Sequence, residues 1–315
     1  MTFSFDVGSF FIGLGVALIL YVSYHILCSI YNILFPYLIW RPVDLHKKAG
    51  AKWAVVTGAT DGIGRAYAFE LARRGFNIVL ISRTQFKLKN TQTQILEIYP
   101  DVEVETFSFD FSTGSSQDYK PLVDYLEQKQ IGILVNNVGG IADYPEVLHK
   151  MDGAPIKLGD QLSINMLPPT VLSASVLPQM VARKSGIIVN VSSAAAHWQF
   201  QKWALYSASK KYVQWLTSVL QKEYASSGVT IQCLCPMLVT TKLSKIETPS
   251  LFGPNPETYV KQAIRSIGLV KETTGYIGHQ IQMEGTKFTP SFIMNYVIEQ
   301  KNRELQAKAQ KTWAE

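Results

Sequence analysis

The sequence predicts an α/β protein: a doubly wound parallel sheet in a single domain, preceded by an N-terminal membrane anchor. Three observations carry that expectation. Short apolar runs of strand length alternate with helix-like segments over about 190 residues from position 51, the pattern of a parallel sheet with helices on both faces. The first run leads into a glycine-rich turn and then a helix, the parts of a dinucleotide-binding unit. The 34 residues 7–40 contain no Asp, Glu, Lys or Arg, and about 20 apolar residues suffice to cross a bilayer.

Composition sets limits. A chain of 315 residues can bury a substantial core. Charged residues make up only 17%, against about 25% in soluble domains, and the deficit is concentrated at the N-terminus. Three cysteines cannot build a disulfide framework, and the five histidines show no metal-ligand spacing, so no metal is expected. The net charge is +6, with no basic run interleaved with aromatics. That argues against a nucleic-acid partner. It suits a chain facing an anionic cofactor and a membrane surface.

Residues 1–45 read as anchor and linker. A cleaved signal peptide would want a basic start and an Ala-x-Ala site. Here Asp6 leads and neither feature is present. The run exceeds one span, so a single helix with an interfacial piece and a hairpin both remain open. Arg41, Lys47 and Lys48 follow the run, which puts the main domain on the cytosolic side. Residues 46–245 are then the nucleotide-binding catalytic domain.

Residues 53–57 form the first strand, followed by Gly58-Ala59-Thr60-Asp61-Gly62-Ile63-Gly64 and a helix reaching Gly75. Glycines let the backbone approach a pyrophosphate, and the helix start offers free N–H groups. The second strand, 77–82, ends at Ser82-Arg83-Thr84. An NAD site usually has an acid there for the ribose hydroxyls. Arginine instead suits a 2′-phosphate, so NADPH is expected over NADH. A third strand, 102–109, ends at Asp110, level with an adenine contact.

A helix over 117–130 and a strand over 131–135 follow, ending at Asn136-Asn137-Val138-Gly139-Gly140. A long helix, 159–184, carries Asn165. The strand from Gly186 runs to Ser192-Ser193, and a helix over 203–227 carries Tyr206 and Lys210. Four residues apart, these two side chains lie one above the other. A cation there favours tyrosinate and makes the phenol an acid near neutral pH. The sixth strand, 229–234, leads into Cys235-Pro236 and on to Val239 and Thr241. Cys233 and Cys235 read as packing residues, and His197 and Trp198 as cavity lining or surface loop. Tyr-x-x-x-Lys gains weight because the other candidates all fall at the carboxyl ends of strands, where such sheets bind ligands.

These motifs resemble the short-chain dehydrogenase/reductase family over residues 50–245. The resemblance rests on Thr57-Gly58-x-x-x-Gly62-Ile63-Gly64, Asn136-Asn137-x-Gly139, Asn165, Ser193, Tyr206-x-x-x-Lys210 and Pro236-x-x-Val239-x-Thr241. It is closer to the membrane-bound 17β-hydroxysteroid dehydrogenases and very-long-chain 3-oxoacyl-CoA reductases, through the anchor, Ile81-Ser82-Arg83-Thr84 and Thr241-Lys242-Leu243. That implies a Rossmann fold in the endoplasmic-reticulum membrane. Tyr206 would be the general acid, with Lys210 lowering its pKa and holding the nicotinamide ribose. Ser193 would orient the carbonyl and Asn165 hold a relay water. Gly58, Thr60, Asp61, Gly62, Ile63, Gly64, Arg83, Asp110, Asn137, Gly139, Val239 and Thr241 would bind NADPH or NADP+ together with Tyr206 and Lys210. Met237 departs from the glycine common at that place, and the final residues, Lys311-Thr312-Trp313-Ala314-Glu315, lack the branch's lysine-rich retrieval signal.

Residues 246–315 read as a substrate-covering loop and helix with a C-terminal tail. The tail, 292–311, suits a membrane-surface helix, a plain surface helix or a homodimer contact. No seventh strand stands out, and residues 275–283 are the best candidate. The expected activity is NADPH-dependent reduction of a lipid ketone, either a fatty 3-oxoacyl-CoA or a steroid. Hydroxysteroid or retinol-type oxidation and a non-catalytic cofactor-binding scaffold are the alternatives.

Overall fold

The computed structural model describes residues 7–155, 158–246 and 248–314. Seven strands form one sheet: β1 (Trp53–Thr57), β2 (Asn77–Ser82), β3 (Val104–Ser108), β4 (Ile131–Asn136), β5 (Gly186–Val191), β6 (Val229–Leu234) and β7 (Glu272–Thr273). Their order is β3-β2-β1-β4-β5-β6-β7, with every neighbouring pair parallel. The chain winds outward from β1 to β3, then returns to β4. The loops leaving β1 and β4 therefore diverge and open a crevice at the strands' carboxyl ends.

The strands read as unbroken apolar runs because both faces are covered. Ala54 and Val56 of β1 join one core with α2 (Leu45–Ala49), α3 (Gly62–Arg73), α4 (Gln85–Ile98) and α8 (Pro256–Arg265). Val55, between them, joins the other core with α5 (Lys120–Glu127) and α6 (Leu158–Ala182). That alternation is the period of a strand. Helix α7 (Ala204–Glu223) adds Leu220 to the second core.

The predicted seventh strand is corrected. β7 is only Glu272–Thr273, paired with Cys233 and Leu234, and α9 occupies Ile277–Thr286. Ile277, His279, Ile281 and Met283 alternate as in a strand. Packing overrides that pattern by burying His279, Gln280, Met283 and Glu284, a helical face.

At the N-terminus, α1 (Val7–Leu34) is one continuous helix ending in a π-turn at Phe35–Ile39, so the hairpin alternative falls. Residues Gly8–Ile39 have a mean hydropathy of 2.1 over their most apolar window, and none of that window is buried. The helix's 28 residues extend about 42 Å at ~1.5 Å each. Its last turns are tied to the domain. Ser29 Oγ and Asn32 Nδ2 donate to the Glu284 carboxylate at 2.7 and 3.1 Å, and the Tyr37 and Thr273 hydroxyls lie 2.6 Å apart. The tail forms α10 (Ser291–Ala314). Asn302 and Gln306 bond it to Trp203, Gln201 and Pro145 beside the start of α7.

Candidate active site

The nucleotide cradle starts at the end of β1. Asp61 caps α3, its carboxylate accepting from the Gly62 N–H at 2.8 Å. Gly64 cannot be anything larger, since a Cβ there would stand 2.3 Å from the Gly58 carbonyl oxygen and 2.4 Å from Asn137 Nδ2. Ile63, beside it, packs at the edge of the first core. Asn137 fastens this turn to β4 by donating to the Thr57 carbonyl at 3.0 Å, and Thr57 Oγ1 accepts from the backbone N–H groups of Asn137 and Val138. The Thr60 and Ser82 hydroxyls bond across β1 and β2 at 3.1 Å. The result is a bare backbone turn at a helix N-terminus, the shape a pyrophosphate needs.

Arg83 leaves β2 with a side chain 75% exposed, 3.9 Å from the Asp110 carboxylate. The Ser112 N–H and hydroxyl both donate to Asp110. Burial works against the charged Asp110, and the Ser112 bonds and Arg83 overcome it, leaving its pKa lowered. Past β6, Val239 is buried and Thr241 Oγ1 accepts from the Ser244 N–H at 3.2 Å. Lys242 pairs with Asp61 at 2.9 Å and closes this segment over the glycine turn.

The chemical centre lies between β5 and α7. Ser193 caps a short turn, its Oγ accepting from the Ala195 N–H at 3.1 Å, and the hydroxyl lies near enough to the Tyr206 phenol to act on its pKa. Tyr206 as a whole residue is partly exposed, but its phenol end is surrounded by protein. Burial pushes the phenol pKa up and the Ser193 bond pulls it down, with burial prevailing. Lys210 is expected to lower this pKa, but burial outweighs the lowering and the net displacement is upward. Lys210 is buried, donates to the Val191 carbonyl at 3.1 Å, and has its own pKa lowered to about 8 by burial.

Asn165 is the hinge of the floor. Its Oδ1 accepts from the Gly140 N–H, and its Nδ2 donates to the Gly140 carbonyl, both at 2.9 Å, and to Ser209 Oγ at 3.1 Å. A Cβ on Gly139 would meet Asn165 Oδ1 at 2.9 Å and Lys210 Nζ at 3.1 Å. Pro168 and Pro169 lie inside α6. Pro169 has no N–H for the Asn165 carbonyl four residues earlier.

The structure thus gathers Ser193, Tyr206, Lys210, Asn165 and Gly139 into one floor, and Gly58–Gly64, Arg83, Asp110 and Asn137 along the same sheet edge. It does not bring His197 to them. His197 lines a separate cavity of about 170 Å³ bounded by β7, α9 and the end of α1. The sequence reading missed Ser209, Gly140 and the Thr57 hydroxyl. Ser209, inside Tyr-x-x-Ser-Lys, and Thr57, at the head of the glycine motif, carried a local signal.

This floor beside this cradle defines an oxidoreductase of the nicotinamide-dependent kind. A family model described as short chain dehydrogenase matches residues 52–250, and the chain belongs to that family. It is 52% identical over 289 residues to the very-long-chain 3-oxoacyl-CoA reductase let-767 of Caenorhabditis briggsae, covering 92% of each chain. A Caenorhabditis elegans protein with the provisional name steroid dehydrogenase 2 is 49% identical over 304 residues, covering 96% of each. Among solved structures, a short-chain dehydrogenase from Sphingobium yanoikuyae in complex with NADPH superposes with a TM-score of 0.60 at 25% identity, covering 67% of this chain and 82% of that one.

Proposed function

We propose that this protein is an NADPH-dependent reductase of the 3-keto group of long or very long 3-oxoacyl-CoA, anchored in the endoplasmic-reticulum membrane with its catalytic domain in the cytosol. The observation that carries the chemistry is the grouping of the Ser193 hydroxyl, the buried Tyr206 phenol and the Lys210 ammonium, the last 5.9 Å from the centre of the Tyr206 ring. When bound, NADPH supplies hydride to the carbonyl carbon. Tyr206 gives its proton to the carbonyl oxygen, and the raised pKa keeps that proton in place at pH 7. Ser193 donates to the same oxygen and fixes its approach. Lys210 offsets the negative charge left on the phenol. The missing N–H of Pro169 leaves the Asn165 carbonyl available to a water that would return protons to Lys210. Gly58, Thr60, Asp61, Gly62, Ile63, Gly64 and Asn137 would hold the pyrophosphate and Arg83 the 2′-phosphate. Asp110 would meet the adenine, and Gly139, Val239 and Thr241 the nicotinamide half.

The acyl-CoA substrate is supported by the 52% relative. The exposed apolar α1 supports a membrane address and a hydrophobic substrate. Arg41, Lys47 and Lys48 after it support the cytosolic side. A steroid ketone is the second reading, favoured by the name of the 49% relative. Full-length protein in nanodiscs, given NADPH and a panel of long-chain 3-oxoacyl-CoA and steroid ketones, tests both. Acyl-CoA turnover that falls by about 10²–10⁴-fold in Tyr206→Phe is expected. Turnover of steroid alone would replace the acyl-CoA reading, and activity surviving Tyr206→Phe would remove the proposed acid.

A further inference from the structure

Behind the catalytic floor, three side chains from distant parts of the chain converge on one point. His197 follows the turn begun by Ser193, Cys235 directly follows β6, and Glu272 opens β7. One ligand atom from each, the His197 ring nitrogen, Cys235 Sγ and a Glu272 carboxylate oxygen, lies within 4.8 Å of the other two. His197 Nε2 and Glu272 Oε1 are 3.4 Å apart. All three residues line the cavity of about 170 Å³, whose wall includes none of Ser193, Tyr206 or Lys210.

We propose that His197, Cys235 and Glu272 form a three-ligand site for a zinc-type divalent cation, with the fourth position open to this cavity. A mixed sulfur, nitrogen and oxygen set is what zinc takes, and three protein ligands plus an exchangeable water is a common form. Metal–ligand bonds of ~2.0–2.3 Å set tetrahedral ligand atoms about 3.3–3.6 Å apart. The His197–Glu272 separation already meets that, and small side-chain rotations bring in the sulfur. One thiolate and one carboxylate balance the charge of a divalent cation.

The present occupant of the point also argues for a cation. Gln214 Nε2 stands 2.9 Å from Glu272 Oε1 and 3.2 Å from His197 Nε2. The amide's two N–H donors reach one would-be ligand each, so Gln214 already draws His197 and Glu272 to the point an ion would take over. The frame is stiff. The Cys235 N–H donates to the Thr273 carbonyl, and the Ala194 N–H to the Pro236 carbonyl, both at 2.9 Å. A bound ion would tie the Ser193 turn to β6 and β7.

The test needs no turnover, so it stands apart from the reductase reading. Chelator-stripped full-length protein in nanodiscs is titrated with Co²⁺ and then Zn²⁺. One equivalent of Co²⁺ should give tetrahedral visible bands and a thiolate charge-transfer band, both lost on adding Zn²⁺. Cys235→Ser should lose the charge-transfer band, and His197→Ala should weaken Zn²⁺ more than about tenfold. Gln214→Ala should bind Zn²⁺ several-fold tighter, the worth of about one hydrogen bond, a gain that misfolding cannot mimic. Three results would overturn the site: no saturable Co²⁺ spectrum up to millimolar, a thiolate band kept in Cys235→Ser, or a Zn²⁺ affinity unmoved by both His197→Ala and Gln214→Ala.

Discussion

The Lys210 ammonium stands 5.9 Å from the centre of the Tyr206 ring. It is a buried charge whose side-chain hydrogen bond goes to the Val191 carbonyl. Such a charge costs stability, and its pKa of about 8 records that cost. Between pH ~8 and ~10.5 the unfolded chain binds a proton that the folded chain has released, so this group makes stability rise with pH across that window. Lys210→Met should therefore stabilise the cofactor-free protein at pH 7, by up to about 3 kcal/mol, while abolishing reduction. Thermal melts paired with NADPH-oxidation assays check both halves. A destabilised Lys210→Met would refute the burial argument.

Arg83 is exposed and only loosely paired with Asp110, so it is available to a 2′-phosphate. Arg83→Asp should weaken NADPH binding roughly ten- to hundredfold, the worth of one or two charge-assisted bonds, and leave NADH binding equal or better. Fluorescence titration with both nucleotides decides it. An unchanged ratio would reassign Arg83 to the surface.

Gly139 has room for no Cβ between Asn165 and Lys210. Gly139→Ala should displace both and cut kcat roughly 10²-fold. The fold should survive, at an overpacking cost of about 1–3 kcal/mol. Rapid kinetics beside a thermal melt separates the two effects.

His279 sets a limit on stability in acid. It is fully buried, with Nδ1 accepting from the Met237 N–H at 3.3 Å and Nε2 donating to the Leu238 carbonyl at 3.1 Å. Burial lowers its pKa to about 4. The unfolded chain then binds the extra proton between pH ~4 and ~6.5, so stability present above 6.5 is lost as pH falls through that range. Melting temperature against pH should drop over this window in the parent and less in His279→Gln. Parallel curves would show that another group sets the acid limit.

Local chemistry made much of this legible from residues alone. The strand runs, the glycine turn, Arg83 and the Tyr206–Lys210 spacing are short-range patterns, and the geometry of strand, turn and helix follows from them. The long apolar helix α1 was legible too, since freedom from charge over a span's length is a property of the segment itself. Tertiary structure decided the rest. Residues 275–283 alternate like a strand, yet became helix α9 because the end of α1 and β7 offered Glu284 and Gln280 buried polar partners. The phenol of Tyr206 has its pKa raised because burial, which the whole fold sets, outweighs the lowering by Ser193. The meeting of His197, Cys235 and Glu272 has no spacing to announce it, because parallel crossovers bring together residues that the chain keeps far apart.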